Sequence, residues 1–190
     1  MRAWGKASPA NGKQGFSPGC IYQNLTGVAG TSMWCNIGTF SSSQWINIDS
    51  PDGGLVTATA TLTVTPLLHA GRTVLLSALA GFAVTIPAAT GSGLIYRFSV
   101  LTVTTSNNYA ISVPANTLFG NVVLGISASG GAADTFVATT GTGLTTITID
   151  AAHQGGASMG DWLQFQDVAT ATWFCTGVLT GTTALATPFS

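Results

Sequence analysis

Charged side chains are scarce in this sequence. Only 6% of its 190 residues are charged, and all six acids are Asp, whereas an average soluble domain is about 25% charged. Glu and Lys favour exposed helices, while the Thr, Val, Ile and aromatic residues that are plentiful here suit the surface of a sheet. The composition predicts little helix. The composition also favours a surface that neighbouring subunits cover, because a surface with so few charges is poorly protected against self-association.

The basic residues are too few to indicate a nucleic-acid partner. The five cations are scattered along the chain, and the net charge is −1 at pH 7. Neutralising phosphates requires a clustered basic surface. We therefore expect no nucleic acid among the partners.

Long apolar runs are missing, although the mean hydropathy is +0.44. The longest run, residues 74–86, is interrupted by Gly81 and closed by Pro87, whereas a membrane-spanning helix needs about 20 apolar residues. The first six residues are not followed by the apolar stretch of a signal peptide. We expect no membrane partner and synthesis in a cytoplasm.

The cysteine pattern does not indicate a zinc site. Cys20, Cys35 and Cys175 are odd in number and lack C-x-x-C spacing. Synthesis in a reducing cytoplasm favours buried thiols. Whether Cys20 and Cys35 pair is left open by the sequence.

One short segment matches the pattern of a nucleophilic serine. Residues 156–160 (GASMG) fit G-x-S-x-G, but that motif requires a helix after the serine and a later histidine. No histidine follows Ser158, and the next segment has the pattern of a strand. A glycine-rich loop between strands is the better interpretation.

The titratable side chains cluster only around Asp150, His153, Asp161 and Asp167. Carboxylates and an imidazole are possible ligands for a divalent metal. Asp at the ends of strands more commonly accepts hydrogen bonds from turn amides. We expect no catalytic residue, no metal and no cofactor.

The chain divides near residues 50–54, where Pro and Gly give a concentrated turn signal. Residues 1–55 are predicted to form a small, loop-rich β module. In residues 56–190, short strand patterns recur about every ten residues, with Tyr96, Phe98 and Leu163 expected inward and Arg97 and Gln164 outward. This spacing predicts an all-β fold, an antiparallel, jelly-roll-like β-sandwich, with a closed barrel as the alternative.

Residues 55–65 alternate between apolar and threonine side chains, which predicts a strand with one apolar face. Small side chains on that face allow close approach of another backbone, so we expect it near an oligomer axis; an ordinary edge strand is the alternative. Two tryptophans in less regular sequence are further candidates for contact. The predicted interface residues are Trp4, Trp45, Val56, Ala58, Ala60, Leu62 and Val64.

Several segments resemble a module of tailed-bacteriophage virion proteins. They are residues 68–74 (LHAGRTV), 85–93 (TIPAATGSG), 96–98 (YRF), 160–162 (GDW), 167–169 (DVA) and 186–190 (ATPFS), with Trp173. Residues 19–24 (GCIYQN) and 33–39 (MWCNIGT) are similar to a Y-x-N-x-G-T segment of phage structural proteins. The resemblance implies a usually trimeric β-sandwich with Gly160 and Asp161 at a turn, Trp173 in the core, and Pro188 and Phe189 as a terminal anchor.

The resemblance further implies a capsid decoration or cement protein, or a head fibre, on the exterior of the virion. The expected partners are two further copies and the major capsid protein or other virion proteins, with the N-terminal module making the attachment. A tail-fibre module that recognises host glycan or protein is the alternative. A polysaccharide-cleaving enzyme ranks third, because such enzymes use paired carboxylates and this chain has few acids.

Overall fold

A computed structural model describes residues 2–27, 32–48, 54–113, 117–126, 131–139, 143–182 and 184–190. The chain divides into two compact units, Met1–Gly54 and Leu55–Ser190. The division lies at the turn signal of residues 50–54, of which residues 50–53 fall outside the described residues.

The N-terminal unit is one small sheet with long connecting loops. Its strands are β1 (Arg2–Gly5), β2 (Ile21–Asn24), β3 (Met33–Asn36) and β4 (Trp45–Asn47), in that spatial order. β1 and β2 are parallel, and the other two pairs are antiparallel.

The buried side chain of Asn36 joins the loops of this unit. Its Nδ2 donates to the carbonyl oxygens of Phe16 and Ser17, at 2.6 and 3.2 Å. Its Oδ1 accepts from the amides of Gly38 and Gln44, at 3.0 and 2.9 Å. One amide side chain thus replaces the backbone pairing that the loops lack.

The C-terminal unit contains two sheets. Its elements are β5 (Leu55–Ala58), β6 (Leu62–Thr63), α1 (Pro66–His69), β7 (Thr73–Leu76), β8 (Ala83–Thr85), β9 (Ile95–Val100), β10 (Tyr109–Ser112), β11 (Thr117–Ile126), β12 (Ala133–Ala138), β13 (Thr146–Ile149), β14 (Trp162–Ala169) and β15 (Thr172–Gly181). The seven-stranded sheet has the order β12-β11-β15-β14-β9-β7-β5, and the four-stranded sheet has the order β13-β10-β8-β6.

The two sheets share one core, so the all-β sandwich prediction is confirmed. Fully buried Phe98, Phe165 and Trp173 of the larger sheet belong to the same apolar cluster as Val84 and Ile111 of the smaller one. The predicted inward and outward positions on β9 and β14 are also confirmed, because Tyr96, Phe98 and Leu163 are buried, while Arg97 is exposed and pairs with Gln164 on the other side of the sheet. Within the described residues, α1 is the single helix.

The predicted antiparallel pairing is wrong for much of this unit. From β5 to β10 the chain crosses from one sheet to the other after each strand, so each return brings a strand back in the same direction. Consequently β5, β7 and β9 pair in parallel, as do β6, β8 and β10. Antiparallel pairs enter only later in the chain, at β11–β12, β14–β15, β14–β9 and β10–β13. The jelly-roll part of the prediction is therefore not confirmed.

The predicted interface strand at residues 55–65 is also corrected. It is broken at residues 59–61, so that β5 belongs to the larger sheet and β6 to the smaller one. Ala58 and Val64 are in the core of the sandwich, and Val56 and Leu62 pack against that core. These four side chains are covered by their own unit. Ala60 is exposed in the break.

Candidate functional site

The carboxylate of Asp167, on β14, is 2% exposed and bound on all sides by donors. It accepts hydrogen bonds from the amides of Thr90, Gly91 and Ser92 at 2.7 to 3.1 Å, and from the Ser92 hydroxyl at 2.6 Å. Burial alone raises the pKa of this carboxyl, but the hydrogen bonds outweigh burial and hold the pKa well below its usual range. Asp167 is therefore an ionised anchor for the loop before β9, with no free lone pair directed to a substrate.

Asp161 anchors a second loop. Its carboxylate accepts from the amides of Gly156 and Thr180, at 2.9 and 2.7 Å, and from the Thr180 hydroxyl at 3.0 Å. Burial raises the pKa of this carboxyl above its ordinary value despite these bonds. The carboxylate ties the glycine-rich loop of residues 155–160 to β15.

The segment of residues 156–160 lacks the geometry of a nucleophile elbow. It is followed by strand β14, whereas the elbow needs a helix whose N-terminus stabilises the oxyanion. Gly156 and Gly160 have φ values of +84° and +94°. The structure thus gives this segment the role of a turn between strands.

Asp150 and His153 form the remaining titratable pair, with 3.5 Å between Oδ2 and Nδ1. Asp150 Oδ1 also accepts from the amides of Ala152 and Gln154, at 2.9 and 2.7 Å. Burial raises the pKa of Asp150, but the hydrogen bonds from these amides and from His153 together lower it by more. The net shift is downward. Across the described residues, no three His, Cys, Asp or Glu side chains come together in a way that would hold a metal.

Cys20, Cys35 and Cys175 are free thiols. Cys20 and Cys175 are buried, and burial raises the pKa of the Cys175 thiol well above its ordinary value. Such a thiol is a poor nucleophile, because the thiolate is the reactive form.

The N-terminal sheet has a partly exposed apolar face, which we call the groove face. Cross-strand partners point to the same side of a sheet, and the rows Arg2–Ile21–Cys35–Ile46 and Trp4–Gln23–Met33 lie on this side. A groove of about 430 Å³ is lined by Arg2, Ala3, Trp4, Ile21, Gln23 and Met33. Trp4 is 72% exposed and Met33 41%.

Trp45 lies on the opposite side of this sheet, which corrects its assignment as an interface residue. It is only 6% exposed and packs edge-on against Phe16 and Tyr22, with ring centroids 5.2 and 5.7 Å away. The irregular sequence around Trp45 therefore did not indicate exposure, because Phe16 from a loop and Tyr22 from β2 cover its ring. Trp4 stays an interface prediction.

The seven-stranded sheet has a second candidate surface, on the side away from the core. We call it the outer face, and it consists of three rows of cross-strand partners. They are Leu55, Thr73, Arg97, Gln164, Thr176, Asn121 and Val137; Thr57, Leu75, Ser99, Trp162, Val178, Val123 and Thr135; and Ile95, Gln166, Phe174 and Phe119. Arg97 is the only charged residue in these rows.

Comparisons of the chain with protein-family models, with curated proteins and with solved structures found no match. Within the part of the chain that the structure describes, no helix has the length and apolar character to span a membrane.

Proposed function

We propose that the protein is a non-enzymatic bacteriophage virion structural protein that decorates or cements the capsid, or forms a head fibre, as a homotrimer. Its partners are other copies of itself and the major capsid protein or another virion protein. It is made in the host cytoplasm and lies on the capsid exterior. The sequence segments that resemble phage virion modules provide the biological context for this proposal.

The observation that carries the proposal is the groove face of the N-terminal unit. Trp4 leaves 72% of its surface exposed beside a groove of about 430 Å³. An exposed apolar patch of this kind typically marks a contact with another molecule, and Trp is enriched at the centres of protein interfaces. This face suits attachment of the small unit to a larger assembly.

The roles of the carboxylates support a structural protein over an enzyme. Asp161 and Asp167 accept hydrogen bonds from backbone amides and hydroxyls of their own unit, and Asp150 does the same for the turn after β13. A general acid or base must instead reach a substrate proton. These side chains hold loops in place.

The proposed mechanism is mechanical. Attachment buries surface only when the underlying capsid lattice is assembled, so binding stabilises that state by mass action. A standard protein interface buries about 800 Å² on each partner. Many such contacts repeated over a shell resist the internal pressure of a packaged genome.

The test is addition of the purified protein to phage particles assembled without it, followed by sedimentation. We expect the wild-type protein to sediment with the particles, and Trp4→Ala to reduce the bound fraction at least fivefold. Leu79→Ala is the matched control, because Leu79 is 62% exposed but belongs to the other unit. Wild-type protein that stays in the supernatant would overturn the proposal, and retention on immobilised host glycans instead would support the receptor-binding alternative.

A further inference from the structure

We infer that the outer face of the seven-stranded sheet is the surface through which copies of this chain pack against one another. The inference rests on the self-association in the proposed function and identifies the surface responsible for it. The occupant is a second copy of this chain, with the outer faces of three copies turned toward a shared axis.

The composition of the outer face is unusual for a sheet in contact with water. A solvated sheet face normally alternates to polar residues, but half of the positions in the three rows are apolar. These are Leu55, Leu75, Ile95, Phe119, Val123, Val137, Trp162, Phe174 and Val178. Val123, Val178 and Val137 are 38%, 43% and 64% exposed, so this apolar surface is not covered by its own unit.

The main polar side chains of the outer face already bind each other. Arg97 Nη2 donates to Gln164 Oε1 at 2.9 Å, and the guanidinium carbon lies 5.8 Å from the centroid of the Trp162 ring. The Thr176 hydroxyl donates to Asn121 Oδ1 at 3.1 Å. Burying a polar group costs less when its hydrogen bond is retained. These bonds therefore lower the cost of covering Gln164, Asn121 and Thr176, whereas the charge of Arg97 has no acidic partner in the rows.

The outer face is large enough for a small specific interface. Its three rows hold eighteen positions, each about 4.8 Å across the strands and about 6.7 Å along them, so the flat footprint is roughly 600 Å². In a trimer this area is divided between two neighbours, which places it at the lower end of the range for specific interfaces.

The near absence of charge on the face favours a second copy over a protein with a charged surface. Arg97 is the only charge among the eighteen positions of the rows. A charged partner surface would find few complementary charges here, whereas the outer face of another copy is itself almost uncharged. In a ring of three copies each interface joins two different parts of this face, so Arg97 need not meet Arg97 of the next copy.

The four-stranded sheet offers a contrasting surface. Its side away from the core presents Thr63, Thr85, Ser112 and Thr146 in one row, with Ala83 and Ala110 beside them. Small side chains of this kind bury little apolar area. This surface therefore serves as the control position.

The experiment measures the mass of the full chain in solution by light scattering at micromolar concentration. We expect a trimer for the wild-type protein. Val178→Lys places a charge at the middle of the outer face and should convert at least nine-tenths of the protein to monomer. Thr85→Lys places the same charge on the control surface and should remain trimeric.

A second variant covers the case in which Val178→Lys fails to fold. Asn121 is exposed on the outer face, where it accepts a hydrogen bond from Thr176. Because the side chain is exposed, Asn121→Lys adds a charge that the isolated unit tolerates. Circular dichroism reports whether each variant is folded. Folded monomers from either variant support the inference.

Two results would overturn the inference. A monomeric wild-type protein removes self-association itself, whether or not the protein binds particles. Trimers that persist in every lysine variant that folds place the interface elsewhere and leave the proposed virion role intact. Particle binding is measured separately, so failure of the inference and failure of the proposed function are distinguishable.

Discussion

The hydroxyl of Ser92 donates a 2.6 Å hydrogen bond to the carboxylate of Asp167, although the two residues are 75 positions apart in sequence. The amides of residues 90 to 92 converge on the same carboxylate. This contact fixes the loop between β8 and β9 against β14. It explains why this chain, with so few acids, buries Asp167.

Replacing this carboxylate should destabilise the C-terminal unit. Asp167→Asn keeps the volume but loses the charge and one acceptor, so several donors are left weakly paired. We expect a loss of about 2 to 4 kcal/mol in the free energy of unfolding, measured by urea denaturation. Asp134→Asn, at an exposed position of β12, is the control and should change it by less than about 0.5 kcal/mol. Equal effects of the two substitutions would contradict the anchoring role.

The two buried carboxylates should have opposite effects on stability in acid. The folded-state pKa of Asp167 is lowered, so its contribution is present above the unfolded pKa of about 3.9 and is lost as the pH falls toward the folded value. The folded-state pKa of Asp161 is raised, so its contribution is present below the unfolded pKa and is lost as the pH rises through the folded value. Urea midpoints between pH 2 and 6 should therefore depend less steeply on pH in Asp167→Asn, and more steeply in Asp161→Asn. The same pH slope in both variants would contradict this assignment.

Gly120 should be irreplaceable in the parallel pairing of β11 and β15. Its φ is +133°, and a Cβ atom there would collide with the carbonyl oxygen of Cys175. We expect Gly120→Ala to cost at least about 2 kcal/mol or to prevent folding. Gly125→Ala on the same strand is the control, since nothing lies within 4 Å of a Cβ there. Thermal unfolding of the two variants tests this, and similar melting temperatures would refute it.

Asn36 should hold the N-terminal unit together. Asn36→Ala removes a side chain that makes four hydrogen bonds to loop backbone and leaves those groups unpaired. We expect a loss of about 2 to 4 kcal/mol confined to this unit. Amide hydrogen exchange should show faster exchange in β2 to β4 and unchanged protection in β9 and β14. Gln14→Ala, at an exposed loop position, is the control. If amide exchange in β2 to β4 were as slow in Asn36→Ala as in this control, Asn36 would not hold the unit together.

The buried faces of individual strands were predictable from the sequence because they depend on local alternation. Tyr96, Phe98 and Leu163 are inward as expected, since side chains on a strand alternate whatever the strand pairs with. The partners of those strands were not predictable. Parallel pairing of β7 with β9 follows from the crossing of the chain through the other sheet, which local patterns do not report.

The candidate sites show the same division. The strand patterns placed Asp150 and Asp161 at strand ends, where Asp commonly accepts hydrogen bonds from turn amides, and the structure adds which loops they hold. The anchoring role of Asp167, within β14, was not predicted. Trp45 had no sequence signal for burial, because Phe16 and Tyr22 cover it from distant positions. The outer face was also missed, since its three rows assemble from strands spread over residues 55–181.

The sequence by itself determined the all-β class and the apolar alternation of residues 55–65, because both depend on residue type and on a period of two. Only the tertiary structure decided that Val56, Ala58, Leu62 and Val64 face the core of their own sandwich. Alternation shows that one side of a strand is apolar, but what covers that side depends on sheets whose strands are far away in sequence.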